Sequence, residues 1–272
     1  RVMPVDLSAY HAVLLDLDGT VYHEETPLPG AIELIRALQR QDRTFACLSN
    51  STSSPMRLAE RLGRMGVVVA PDRIWTAAAA ACEYVLATGR TDPAIAGRAV
   101  RVFNLATEAV GEMLDGQVAW VGTSGEPCDA VLVGTPSSVF ATDERQRTAM
   151  QLLRAGARLV GICADRVYPS PRGLEFGAGA LSHMLAYAAN VRPIFCGKPE
   201  TIFYRELCDR LNVDPRWCVL IGDNLEADIL GGRAQGMRTI LTLTGVTRRR
   251  DLIHLPADQQ PDLVVDDLTE IL

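Results

Sequence analysis

The segment AVLLDLDGTVY at residues 12–22 closes an apolar run with two carboxylates, Asp16 and Asp18, one residue apart. Three further segments also end in polar groups. They are Ser49-Asn50-Ser51, Gly197-Lys198-Pro199, and Gly222-Asp223-Asn224, with Asp228 five positions after Asp223. Taken singly, each has an ordinary structural reading. Asp18-Gly19 could be a turn, Ser49 or Ser51 a helix cap, Lys198 a solvated lysine, and Asp228 a charge in the first turn of a helix. Their order at successive strand ends argues instead for one site. Gathered carboxylates repel, by about 4 kcal/mol for two unit charges about 4 Å apart at an effective dielectric near 20. A hard divalent cation with oxygen ligands relieves that repulsion, and Mg2+ characteristically combines a few carboxylates with substrate phosphate oxygens. A lysine and a hydroxyl beside it suit a transferring phosphoryl group, where catalysis is mostly positioning and neutralisation. One aspartate can then attack phosphorus, and a second can protonate the leaving oxygen.

Bringing these side chains together requires strands whose carboxyl ends share one edge. AVLLDLD, TFACLSN, WCVLIGD and RTILTLTG read as such strands. Between them GAIELIRALQRQ reads as a helix with Ile32, Ile35 and Leu38 on one face, and PMRLAERLGRMG as a helix with Pro55 in its first turn and Gly66 past its end. Pro199 is expected to open a helix with Ile202, Phe203, Leu207 and Leu211 inward, and EADILGGRAQGM reads as another helix. Continuous apolar strands joined by helices imply a parallel sheet buried on both faces, of the doubly wound α/β kind. In such a sheet the carboxyl ends converge on one crevice, which should collect Asp16, Asp18, Ser49, Asp223 and Asp228, with Lys198 from a nearby loop. The middle of the chain differs. Strand-like stretches at 99–103, 118–121, 129–133 and 157–163, with helix-like ones at 105–114 and 143–155, suggest a second, smaller α/β unit, and the alanine run 77–81 is a plain helix.

DLDGT, LSNS, GKP and GDNLEAD resemble the four motifs of the haloacid dehalogenase superfamily of phosphatases, and the resemblance runs through nearly the whole chain. It implies a Rossmann-like core in which Asp16 is the nucleophile that forms an aspartyl-phosphate, and Asp18 is first general acid and then base. It implies that Ser49 and Lys198, with Asn50 beside them, hold the phosphoryl oxygens. Mg2+ would be bound by the Asp16 carboxylate, the Asp18 main-chain carbonyl and Asp223, with Asp228 in its outer shell. Asp223 follows Lys198 by 25 positions and Ser49 follows Asp16 by only 33, each room for one crossover, whereas Lys198 follows Ser49 by 149. An inserted α/β cap must fill that interval, which gives an expected core of 1–77 and 187–272 and a cap of 78–186. A cap at this point resembles the NagD-like branch, as does ICADRVYPSPRGLEFGAGAL. Cys163 stands where the branch often has asparagine, and VGTPSS at 133–138 lacks its usual aspartate; both departures lie in the cap and bear on substrate choice. Asp165 and Arg166 are the cap residues expected to read the leaving group. Receiver domains also gather acids, a hydroxyl and a lysine around Mg2+, but they are much shorter. Relatives that dehalogenate or pump cations lack the second aspartate, so Asp18 argues for rapid turnover of the phospho-aspartate. A non-catalytic nucleotide-binding protein is the remaining alternative, separated by a phosphate-release assay.

Composition narrows the partners. A net charge of -6 offers no electrostatic footprint for nucleic acid or an anionic membrane, and the basic run Arg248-Arg249-Arg250 meets Asp251 at once. Seven scattered cysteines, never two or three apart, argue against a disulfide framework or zinc site and for a reducing compartment. The four histidines are far apart, so none is favoured as a ligand or base. RVMPVDLSAY lacks a signal-peptide apolar stretch, and TAAAAACEYVLATG carries Glu83 and is too short to span a bilayer. The expectation is a cytoplasmic phosphatase of a small phosphate ester such as a sugar phosphate or nucleoside monophosphate, free of nucleic acid and membrane. The physiological ester and a homodimer through the cap remain open.

Overall fold

A computed structural model describes residues 6–170 and 172–272. The first five residues of the N-terminal stretch, and Pro171 of the cap segment, lie outside the described residues. The chain opens with β1 (Ala12–Asp16), the short pair β2 (Tyr22–His23) and β3 (Thr26–Pro27), then α1 (Ala31–Arg40), β4 (Phe45–Ser49), α2 (Pro55–Arg64) and β5 (Ile74–Thr76). It continues through α3 (Ala77–Thr91), β6 (Arg101–Leu105), α4 (Glu108–Leu114), β7 (Ala119–Trp120), β8 (Ala130–Val133), α5 (Asp143–Arg154) and β9 (Arg158–Gly161). A hairpin, β10 (Val167–Ser170) and β11 (Gly173–Phe176), leads to α6 (Ala178–Ala189) and β12 (Pro193–Phe195). The last stretch holds α7 (Thr201–Leu211), β13 (Cys218–Gly222), α8 (Gly231–Ala234), β14 (Arg238–Thr242) and β15 (Leu263–Val265).

These elements form two compact units. The first comprises the chain up to Ser49, Pro55–Trp75 and Lys198–Leu272; the second comprises Asn50–Ser54 and Thr76–Gly197. In the first unit six strands lie in the order β15-β14-β13-β1-β4-β5. β1 runs parallel to both β13 and β4, and every residue of these three strands is buried, as a sheet covered on both faces requires. From β1 the chain winds outward to β4 and β5, and it later returns to β1's other side at β13. That reversal puts the carboxyl ends of β1, β4 and β13 side by side, with Asp16 paired to Leu48 and Leu15 to Ile221. The core behind them is Val13, Leu15, Val219 and Ile221 against Leu34, Ile35, Leu38, Leu58 and Leu62.

Several helix faces differ from expectation. In α1 the inward residues are Leu34, Ile35 and Leu38, and Ile32 is only half-buried at the margin. α7 begins at Thr201, after Pro199, and its buried stripe is Phe203, Tyr204, Leu207 and Cys208, the two i, i+4 pairs that face the sheet; Ile202 and Leu211 flank it half-buried. The expected helix over EADILGGRAQGM is a π-helical turn, Leu225–Leu230, followed by the single turn of α8.

The second unit has its own five-stranded sheet, β12-β9-β8-β6-β7, whose strands are all parallel. Its strands fall at 101–105, 119–120, 130–133 and 158–161, within a few residues of expectation. The unit does not end at 186, which lies inside α6. Leu181, Leu185, Ala186 and Ala189 of that helix pack into the second core, and β12 pairs with β9, so the chain returns to the first unit only at Lys198. The hairpin has one polar face, where Tyr168, Ser170 and Glu175 hydrogen-bond, and one apolar face, where Val167, Leu174 and Phe176 are exposed. No described helix is long and apolar enough to cross a membrane.

Candidate active site

Asp16 is the last residue of a wholly buried strand, so its carboxyl arrives inside the first unit with 5 % exposure. Lys198 Nζ donates to Asp16 Oδ1 at 2.5 Å and to Asp228 Oδ1 at 2.7 Å. One carboxylate oxygen from each of Asp16, Asp223 and Asp228 lies within 4.8 Å of the others, and all three residues are buried. Second oxygens are held by main-chain amides: the Asn224 N–H donates to Asp228 Oδ2 at 3.1 Å, and the Val246 N–H to Asp223 Oδ2 at 2.7 Å. Asp16 Oδ2 is the exception. It is buried without a hydrogen bond of normal geometry, as is the Thr20 hydroxyl.

Three buried carboxylates against one ammonium leave the pocket short of positive charge. Burial raises the Asp16 carboxyl to about 6, with Lys198 pulling it down and Asp223 pushing it up. Burial, then the Asp16 charge, lifts Asp228 to about 6 as well, and burial also raises Asp223. Desolvation works against the Lys198 charge, yet the Asp16 and Asp228 carboxylates outweigh it and hold its pKa well above the ordinary lysine value. This all-oxygen, anion-rich donor set fits a small divalent cation.

Local sequence explains how the acids crowd so closely. Gly19, at φ +89°, turns the chain after Asp18, and a Cβ there would lie 2.6 Å from Asp223 Oδ2. At Gly245 a Cβ would come within 1.8 Å of the same oxygen, and at Gly222 within 2.4 Å of Asp228 Cγ. The segment after β14 is therefore part of the site. Thr244 Oγ1 donates to the Gly19 carbonyl at 2.6 Å, and Thr247 Oγ1 accepts from the Leu225 N–H at 2.9 Å. Sequence reasoning passed over Thr244–Thr247. The available signal was that β14 ends on the same carboxyl edge as β1 and β13, with glycine just beyond. Beneath the π-helical turn that carries Asp228, the fully buried Tyr204 donates its hydroxyl to the Ala227 carbonyl at 2.5 Å.

Of the expected site residues, Asp16, Lys198, Asp223 and Asp228 meet directly. Asp18 follows with its side chain exposed, and Ser49 ends β4 buried. Asn50 falls in the second unit, where its Nδ2 donates to Asp165 Oδ1 at 3.4 Å. Asp165 is half-buried and Arg166 exposed. The Gly177 N–H donates to the Arg166 carbonyl at 2.8 Å and the Gly179 N–H to the Asp165 carbonyl at 3.0 Å. A Cβ on Gly177 or Gly179 would sit 2.1 Å or 2.3 Å from a carbonyl oxygen of that segment, so only this glycine pair lets the start of α6 lie against it. Cys163 is buried beside Gly197, where it packs and burial keeps its thiol neutral. Ser137, in the other departing segment, hydrogen-bonds the Tyr168 hydroxyl at 2.6 Å.

A parallel sheet whose central strand ends in a buried carboxylate, with a paired lysine and an acid cluster at the same carboxyl edge, is an arrangement suited to phosphoryl transfer. The haloacid dehalogenase-like hydrolase family matches residues 13–116, and a HAD-hydrolase-like family matches residues 195–271. An acid sugar phosphatase of Staphylococcus saprophyticus is 30% identical over 264 residues, covering 97% of either chain. The 5'-nucleotidase YutF of Bacillus subtilis is 29% identical over 266 residues, 97% of this chain and 98% of that one. Among solved structures, a glycerol phosphate phosphatase from Mycobacterium tuberculosis in complex with magnesium is similar with a TM-score of 0.85 and 26% identity, over 99% of this chain and 79% of that one. The chain belongs to the haloacid dehalogenase-like hydrolases and is a phosphatase.

Proposed function

We propose that the protein is a Mg2+-dependent phosphomonoesterase that hydrolyses a small phosphorylated metabolite, a sugar phosphate or nucleoside monophosphate, through an aspartyl-phosphate on Asp16. The observation that carries this reading is the pair of unlike oxygens on Asp16: Lys198 holds Oδ1 at 2.5 Å, while buried Oδ2 has no partner and is left to attack. Asp16 Oδ2 bonds to phosphorus as the ester P–O bond breaks, and Asp18 gives its proton to the departing oxygen. Asp18 then takes a proton from water as that water attacks phosphorus, which frees Asp16 and inorganic phosphate. Ser49 and Lys198, with Asn50 beside them, steady the phosphoryl oxygens. Asp16, Asp223 and Asp228 with the Asp18 carbonyl would hold Mg2+, which supplies positive charge against the carboxylates and the transferring group.

Sugar phosphates and nucleoside monophosphates are the substrate classes supported by the relatives' names, an acid sugar phosphatase and a 5'-nucleotidase. Seven free cysteines support a reducing compartment such as the cytoplasm. A homodimer through the second unit belongs to the same reading. It is supported by the exposed apolar face of the hairpin, since like surfaces meet in a two-fold contact, and molar mass by light scattering checks it. The central experiment is phosphate release over a panel of such esters. Activity is expected to vanish in EDTA and return with Mg2+, and Asp16→Asn is expected to abolish it. Full turnover after exhaustive chelation, or by the Asp16→Asn chain, would overturn the assignment.

A further inference from the structure

At the opposite edge of the first unit's sheet lies a cavity of about 560 Å3 that the chemistry above does not use. Its place follows from the strands. Arg216 stands in the short turn before β13 and Arg238 is the first residue of β14, so both mark amino-terminal ends, whereas Asp223 follows the carboxyl end of β13. A five-residue strand spans about 16 Å at ~3.3 Å per residue, too far for one phosphate to touch both edges. Its volume falls within the roughly 300–1,000 Å3 of small-molecule sites.

Three guanidiniums, from Arg216, Arg233 and Arg238, line this cavity with two carboxylates, Asp258 and Asp262, while a third carboxylate, Asp214, holds Arg216 from beside the lining. Asp262 is already saturated. Its Oδ1 accepts from Arg233 Nη1 at 3.1 Å and Arg238 Nη1 at 2.9 Å, and its Oδ2 from the Thr239 N–H at 2.8 Å and hydroxyl at 3.1 Å. One carboxylate therefore serves two cations. Arg238 makes that single hydrogen bond, and Arg216 uses only Nε and Nη2, both on Asp214. Guanidinium donors are left over, in the planar fork that suits a phosphate. The rest of the lining is apolar or aromatic: Tyr10, Leu230, Ala234 and Met237.

We propose that this cavity is a second binding site, separate from the catalytic one, for a nucleotide-like ligand: a phosphate group on Arg216 and Arg238 and a flat or apolar body against Tyr10 and Met237. Arg233, half-buried and tied to the Asp258 carbonyl at 3.0 Å, sets the position of the shared carboxylate.

The test uses ADP as probe, titrated calorimetrically into the Asp16→Asn chain in EDTA, so that no turnover intervenes. Saturable binding is expected, with adenosine failing to bind. Arg216→Ala/Arg238→Ala in the same background is expected to weaken ADP at least tenfold, about 1.4 kcal/mol. Both arginines are exposed, so the double variant should fold; placed in the otherwise natural chain it should hydrolyse p-nitrophenyl phosphate within about twofold of the parent. Absence of saturable ADP binding up to millimolar concentration would overturn the proposal. So would equal affinity with and without the two arginines, since ADP would then be seated at the catalytic edge. Neither result bears on phosphate release, which tests the catalytic reading separately.

Discussion

Asp16, Asp228 and Lys198 constrain one another so tightly that the site's behaviour without metal can be derived from them. Asp16 and Asp228 have folded-state pKa values near 6 against an ordinary value of 3.8, chiefly through burial. A carboxyl raised in this way favours the folded state below its unfolded pKa and loses that advantage as pH rises through the folded one. Metal-free protein should therefore lose thermal stability from about pH 4 to above pH 6, by on the order of 3 kcal/mol for a carboxyl moved this far. Mg2+, which the proposed site would hold through its ionised acids, should stabilise the fold increasingly over the same window. Melting temperatures with EDTA and with Mg2+ check this, and a Mg2+ effect independent of pH would contradict it. Asp18 differs in being exposed. Asp18→Asn should slow phosphate release by roughly 10²–10⁴-fold, as expected for a lost general acid, and leave the Mg2+-dependent melting shift intact. Near-normal turnover of a poor leaving group would remove Asp18 from that role. At this scale the sequence was legible where chemistry-bearing residues ended apolar runs. Gly19, Gly222 and Gly245 were not legible as site residues, because their contribution is the missing side chain that lets Asp223 and Asp228 approach.

Elements were legible where hydrophobic period and length agreed, as in β1, β4 and β13, whose five residues are all buried. They were less legible where two periods compete. The turn Leu225–Leu230 is π-helical, with the Ile229 N–H reaching back to the Asn224 carbonyl at 3.2 Å, and an α-helical reading of EADILGG has no means of seeing that widening. The polar hairpin face and short β12 escaped for a different reason: strands of three or four residues carry too little alternation to register. The segment after β14 gives the sharpest consequence. Its Gly245 lies so near Asp223 that a methyl group must displace either the loop or the carboxylate. Gly245 does not have positive φ, so alanine is tolerated by the backbone and the damage should stay local. Gly245→Ala should raise the Mg2+ concentration needed for half-maximal activity at least about tenfold, close to 1.4 kcal/mol, while circular dichroism remains that of the parent. An unchanged Mg2+ requirement would mean that Asp223 is not held where a metal needs it.

For the whole molecule, the 149-position step from Ser49 to Lys198 announced an inserted unit, and the chain does divide into two compact bodies. Their limits were harder to read, because α6 and β12 resemble core elements until their partners in the second sheet are known. The chain passes between the units after Ser49, Ser54, Trp75 and Gly197, so two crossings adjoin residues assigned to hold phosphate, Ser49 and Lys198. Covalent continuity thus links the second unit to the chemistry. Asn50, the sequence neighbour of Ser49, hydrogen-bonds Asp165, and the Gly177–Gly179 turn fixes the backbone of Asp165 and Arg166 through two main-chain bonds. In the proposed function the first unit's motifs meet only phosphate and metal, which every ester shares, and Asp165 and Arg166 are the residues proposed to discriminate, with charges of both signs for hydroxyls or a second anionic group. Binding energy from non-reacting parts of a substrate can be used in the transition state. Asp165→Ala or Arg166→Ala should therefore lower kcat/KM for the preferred metabolite by at least about tenfold, roughly 1.4 kcal/mol. Hydrolysis of p-nitrophenyl phosphate, whose leaving group has no hydroxyls or second charge, should barely change. Equal losses on both substrates would indicate a folding defect. No loss on either would remove these two residues from substrate choice, and an Arg166→Lys chain that recovers the metabolite rate would show that charge, more than the guanidinium fork, is what the substrate meets.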